Sequence, residues 1–337
     1  MVEHWSPKPG VASSSLATLA IKINLGAMKF EDVENARIAL VEKRKKIFRK
    51  SAEICAVVFV VLAAVAVATI IASYRGSIIN TLAIIFPTFI VPMFIAIIVV
   101  AIVVNIKTRN EMTTYQRAYK GYFVAQQLAK YFTDIKYDHE KGLDKEILKN
   151  TGMIHTGDRY RSNDLVCAKY KNVVFMQADV TIEDEHEDSD GDTHYVTVFK
   201  GRYMIFEFPK KFDFKMMVTS HFEPSCLGAK MKKIELESTD FNKDFSVYAE
   251  DGFEAFYLLD PAFIASVEDL NRAYNKRVAL YFVDNKLFIG INNGNDSFEP
   301  PNPSEPIKEK AEIEKNSRDI QVITDFVDRL RLDRDRA

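Results

Sequence analysis

The densest run of possible ligand atoms in this 337-residue chain is Glu183-Asp-Glu-His-Glu-Asp-Ser-Asp-Gly-Asp192. Within it, Asp188-Ser-Asp190-Gly191 has the alternating oxygen donors of a calcium loop. In a helix–loop–helix calcium site the glycine stands sixth, and carboxylates are needed first and twelfth. With Gly191 sixth, those positions fall on His186 and Thr197. The run also joins two strand-like segments rather than two helices, so it reads as a solvated hairpin tip. The six histidines (His4, His139, His155, His186, His194, His221) lack metal-ligand spacing, and Cys55, Cys167 and Cys226 form no CxxC pair. No phosphate-binding GxxxxGK loop, GxGxxG, HExxH or GxSxG is present. The sequence therefore assigns no catalytic, cofactor-binding or metal-ligating residue, and no cofactor is expected. An enzyme would have to assemble its site in three dimensions. Asp158, Arg159, His194 and Glu254 are the polar residues to inspect first.

The elements that would carry these residues begin with two apolar runs, Ala52–Ser73 and Ile78–Ile106. Roughly 20 apolar residues in a helix span the bilayer hydrocarbon. The connector, Tyr74-Arg75-Gly76-Ser77, admits only a tight turn, so the runs predict a transmembrane helical hairpin over 52–106, with spans at about 52–73 and 78–106. Pro87 and Pro92 lie in the second run and read as a structural kink. Two helices enclose no pore, and no ionisable residue sits mid-span as a transport path demands.

Orientation follows from charge. Lys43, Arg44, Lys45, Lys46, Arg49 and Lys50 precede the first run, Lys107 and Arg109 follow the second, and the turn offers only Arg75. Such residues stay on the cytoplasmic side, so both termini are expected there, in a reducing compartment that leaves the cysteines as thiols. Cys167, in an apolar strand-like run, reads as a buried structural thiol. Residues 1–106 carry 11 Lys and Arg against 6 Asp and Glu, and the remainder 34 against 41. A mildly acidic soluble part argues against nucleic acid as a partner. The mean hydropathy of -0.11 hides the membrane segments by dilution.

Residues 1–27 read as a disordered extension, or as an upstream start that is not used, with no basic region of a signal peptide. Residues 28–51 read as a basic amphipathic helix, acidic early and basic late as the helix dipole favours, with Val33, Leu40 and Ile47 seven apart. After the second span, Tyr115, Tyr119, Tyr122 and Phe123 mark one face of a helical stalk over 107–132. A soluble α+β domain is expected over 133–337. Its strands, Val166–Tyr170, Val173–Glu183, Thr193–Phe199, Arg202–Phe208, Lys215–Val218 and Phe245–Ala249, are spaced for antiparallel hairpins. Arg277–Val283 and Leu287–Ile291 flank Asp284-Asn285, which suits a two-residue I′ turn. Helices are expected at Pro261–Tyr274 and after Pro306, the latter carrying Ile320, Ile323, Val327 and Leu330.

Five local motifs stand in order: Gly157-Asp158-Arg159-Tyr160; His194-Tyr195-Val196-Thr197-Val198-Phe199-Lys200-Gly201; Phe245-Ser-Val-Tyr248-Ala-Glu-Asp251 with Glu254-Ala255; Phe282-Val-Asp284 with Leu287-Phe288-Ile289; and Phe298-Glu299-Pro300. With the basic arm, hairpin, stalk and α+β domain, they resemble the bacterial two-span membrane family catalogued as domain of unknown function 3137, over roughly residues 30–333. That resemblance implies architecture and location but no chemistry.

The expectation is a cytoplasmic binding or scaffold module tethered in the bacterial plasma membrane. Its partners would be the lipid bilayer and a protein at the inner leaflet, and its oligomeric state is left open. A membrane-anchored enzyme and an accessory subunit of a transport or gating assembly are the alternatives.

Overall fold

The computed structural model describes residues 28–72, 91–220, 224, 231–275 and 277–333. The predicted turn Tyr74–Ser77, the first half of the second apolar run with Pro87, residues 1–27 and Cys226 lie outside them. The chain divides into two compact units, 28–122 with 300–309, and 123–299 with 310–337.

The first unit is helical. Helix α1 (Phe30–Ala72) is a single 43-residue element, opened by Glu31 and Asp32 in its first turn. Helix α2 (Val91–Lys107) begins Val-Pro92 and ends at Thr108, beyond which α3 (Arg109–Tyr119) continues. Thr108 Oγ1 donates to the Val104 carbonyl at 2.8 Å, a back-bond of the kind that bends helices. Among the described residues no single helix is long and apolar enough to cross a membrane. Val91–Lys107 and Arg109–Tyr131 pass that test together, bent by 55°.

The amphipathic half of α1 buries Val33 and Leu40 completely and packs on α3, where Tyr115 and Tyr119 are also fully buried. The proline-rich segment 300–309 closes this unit by accepting hydrogen bonds. Arg37 donates to the Pro303 carbonyl at 2.9 Å and Tyr115 to that of Pro301 at 3.2 Å, while Tyr122 donates to the Glu309 carboxylate at 2.5 Å. A π-turn at Lys120–Val124 inserts extra arc after α3 before α4 (Ala125–Tyr131).

Among the described residues, the second unit is built on a seven-stranded antiparallel sheet: β1 (Thr133–Asp138), β2 (Arg159–Tyr170), β3 (Val173–Glu187), β4 (Thr193–Thr219), β5 (Lys232–Ile234), β6 (Ser246–Ala249) and β7 (Val278–Ile291). The order is β1-β2-β3-β4-β6-β5, with β7 also on β4. The single strand β4 replaces three expected ones. Its first half pairs with β3, its last residues with β6, and residues 202–219 with β7. Gly201, which falls between two of the expected strands, sits inside β4 at φ 154°, and a Cβ there would lie 2.0 Å from the Ile291 carbonyl oxygen. Only glycine admits β7 that closely.

The expected Asp284-Asn285 hairpin is likewise corrected. Strand β7 runs straight through, and the irregularity is a bulge in which Asp284 takes φ 53° while β4 carries the extra residues. The residue types that make an I′ turn are also those that tolerate a left-handed bulge, so the local signal was ambiguous.

One sheet face holds Ala178, Val180, Ile182, Phe199 and Tyr203 against α5 (Lys145–Thr151). Asp144 caps that helix by accepting from the Glu146 N–H, and Gly152 ends it at φ 61°. The opposite face, with Phe175 and Phe206, is covered by a C-terminal helix, α9 (Glu309–Arg329), which buries Ile320, Ile323 and Val327. Between β5 and β7 come three short helices, α6 (Thr239–Asp244), α7 (Gly252–Leu258) and α8 (Pro261–Ala273), the last capped by Asp260.

Candidate functional site

Three of the four polar residues singled out above come together at one end of the sheet, and they are exposed. Asp158 accepts the Glu185 N–H at 2.8 Å and its own N–H reaches the Glu183 carbonyl, which closes the entry to β2. The Arg159 guanidinium lies 3.2 Å over the Tyr195 ring, whose hydroxyl donates to Glu185 at 2.7 Å. His194 stands opposite His186, the rings stacked at 5.8 Å. Each side chain is thus engaged by a residue of β3 or β4, in the manner of a solvated hairpin. Glu254 lies in α7, after β6, which pairs with the far end of β4. At the tip, the Asp188 carboxylate already accepts the Asp190 and Asp192 N–H groups, both at 3.0 Å, and so folds the turn.

A different set of groups is buried together under α9. Strands β3 and β4 place Asp179 and Arg202 directly opposite one another, 3% and 4% exposed. Arg202 donates through Nε to Ser297 Oγ at 2.8 Å and also to the Asp319 carbonyl of α9, and it lies 5.4 Å over the Phe298 ring. One Asp179 oxygen accepts the Ser297 N–H at 2.7 Å. The other faces Arg202 Nε at 3.9 Å and has no hydrogen-bond partner among the described residues. Burial pushes the Asp179 carboxyl well above its ordinary range. Arg202 opposes that rise, and Asp164 and Asp296 add to it.

Two irregular backbone positions bring further carboxylates to this point. Strand β2 bulges between Asn163 and Val166, which puts Asp164 at φ 58°. There it is fully buried and accepts from Tyr137 Oη at 2.5 Å and Asn163 Nδ2 at 2.7 Å. Burial first, and then the Asp164 charge, raise the Tyr137 hydroxyl well above its usual pKa. After β7, Phe298 at φ 60° is wholly buried between Arg202 and the Tyr137 ring, 6.3 Å away. Anchoring that ring directs Asp296 and Glu299 toward Asp164. One carboxylate oxygen from each of Asp164, Asp296 and Glu299 lies within 4.8 Å of the others, a spacing that could hold a metal ion. Asp164 is buried, Glu299 half-buried and Asp296 exposed, so the group opens to solvent on one side.

Sequence reasoning passed over this set. The available signal was Asp179 and Arg202, opposite charges inside otherwise apolar strands, where a charge requires a partner. Glu299 was seen only as part of Phe298-Glu299-Pro300.

Over residues 197–332 the chain matches the model of the family described as Protein of unknown function (DUF3137). The match runs from within β4 through α9, with Arg202, Asp296 and Glu299. Asp164 and Asp179 precede it. No curated protein matches the sequence. Among solved structures, the crystal structure of the mycobacterial trehalose monomycolate transport factor A, TtfA, aligns at 8% identity and a TM-score of 0.36. The alignment covers 66% of this chain and 95% of that one. A likeness of that degree carries no conclusion about activity or ligand.

Proposed function

We propose that the protein is a two-span, membrane-tethered module of a bacterial plasma membrane, with both termini in the cytoplasm. Its sheet unit acts as a binding or scaffold domain for a protein partner at the inner leaflet. The observation that carries this reading is the outward apolar surface of α1 and α2. Ile54, Val57, Val60 and Val61 on α1 and Phe94, Ile97, Ile98 and Ile106 on α2 are each more than half exposed. Contiguous apolar surface of that size is unfavourable in water at roughly 25 cal/mol per Å², and a bilayer removes the penalty. The flanking Lys43–Lys50 cluster supplies the orientation. That Asp158, Arg159 and His194 are solvated and locally engaged favours a binding surface over a catalytic constellation.

Topology tests the reading. Alkaline extraction of membranes should leave the full chain in the pellet, and reporter fusions at residues 30 and 337 should both signal cytoplasm. Release into the supernatant, or periplasmic activity from either fusion, would overturn it.

A further inference from the structure

We infer that Asp164, Asp296 and Glu299 form a binding site for a hard divalent cation, calcium, magnesium or manganese, backed by the buried carboxylate of Asp179. This inference stands apart from the membrane reading, since it rests only on the sheet unit. The donor set is all oxygen, with no imidazole or thiolate, which selects that class of ion over zinc or copper.

Charge makes the same demand. The carboxylates of Asp164, Asp296 and Glu299 gather beside that of Asp179, whose neighbour Arg202 is already committed to Ser297 and the α9 carbonyl. Buried charge needs compensation. The independent pointer is Asp179. It is 3% exposed and lies against Asp296, and one of its oxygens has no hydrogen-bond partner among the described residues. Gln177, fully buried two residues earlier on the same strand face, likewise has no partner for its amide oxygen or nitrogen among them. Buried polar atoms in this condition call for a partner, and an ion or its water shell would supply one.

The geometry also provides a way in, because Asp296 is exposed while Asp164 is fully buried. A bound ion would join the β2 bulge to the segment following β7. The competing way to relieve the charge is a proton shared among the carboxyls, and the two are separable by experiment.

The full chain in detergent micelles, stripped of metal with a chelator, is titrated with manganese alone. Free manganese is followed by its paramagnetic resonance signal, and calcium and magnesium serve as competitors. One manganese per chain should bind, be displaced by calcium or magnesium, and raise the melting temperature. Asp296→Asn, at an exposed position, should weaken binding at least tenfold, as should the second variant, Glu299→Gln. Asp190→Asn, at the hairpin tip, should leave it unchanged. Absence of bound manganese at millimolar concentration would overturn the inference in favour of the shared proton. So would binding that survives Asp296→Asn and Glu299→Gln, or that is lost on Asp190→Asn.

Discussion

Replacing Arg202 with methionine removes the cation that lies beside the buried Asp179 carboxylate while keeping an unbranched side chain of similar reach. The wild-type group is 4% exposed and donates to Ser297 Oγ at 2.8 Å and to the Asp319 carbonyl. It stands 3.9 Å from one Asp179 oxygen and 3.8 Å from an Asp319 oxygen. A hydrogen bond from a charged donor contributes about 1.5–3 kcal/mol, and deleting one member of a buried ion pair costs about 3–5 kcal/mol. The two figures describe the same atoms and do not add. The expected loss for Arg202→Met is therefore about 3–5 kcal/mol, which a second substitution, Asp179→Asn, should recover by at least half because it removes the stranded charge.

Hydrogen–deuterium exchange of the full chain in micelles isolates the sheet from the helical unit. The slowest amides of β3 and β4 should exchange roughly two to four powers of ten faster in Arg202→Met, since about 1.4 kcal/mol is one power of ten. An acceleration below about fivefold would show that Arg202 is not the principal counter-charge. No recovery in the double variant would show that its worth lies in packing against Phe298 instead.

Two further outcomes follow from the geometry. Burial pushes the Cys167 thiol up to about 11 from an ordinary 9. At pH 8 it should hold about a hundredfold less thiolate than a free cysteine, so iodoacetamide labelling in the native chain should be slow and become ordinary in denaturant, as read by peptide mass spectrometry. Gly201→Ala should destabilise the sheet by more than about 3 kcal/mol, because its Cβ would meet the Ile291 carbonyl oxygen at 2.0 Å. A normal melting temperature for that variant would refute the close approach of β4 and β7.

The elements most legible in the sequence were those set by local rules. The period-two run Val173–Glu183 became the heart of β3, the helix expected from Pro261 became α8, and Ile320, Ile323 and Val327 mark the buried stripe of α9. What escaped depends on neighbours distant in the chain. Gly201 and Asp284 look like turn residues in isolation, and only the partner strand reveals them as irregularities within β4 and β7. The carboxylate group escaped for the same reason, because Asp164, Asp179 and Asp296 meet through a β-bulge and a left-handed Phe298 that no short window records. The six histidines and the acidic hairpin tip drew attention through composition. The buried set was hidden because its members are few and lie far apart in the chain.

Strand β4 has a consequence for biosynthesis. It is the template for β3 along its first half and for β7 from Arg202 to Thr219. During translation β2, β3 and β4 can pair soon after they emerge, yet the edge that β7 will occupy stays bare until residue 291 has left the ribosome. At about 5–20 residues per second that interval is roughly 4–14 s, far longer than a hairpin needs to form. Throughout it, nascent chains on one messenger present the same long unpaired edge to each other, the circumstance in which strands join between molecules. Truncations between residues 220 and 278 should for this reason yield insoluble aggregates rather than a smaller folded sheet.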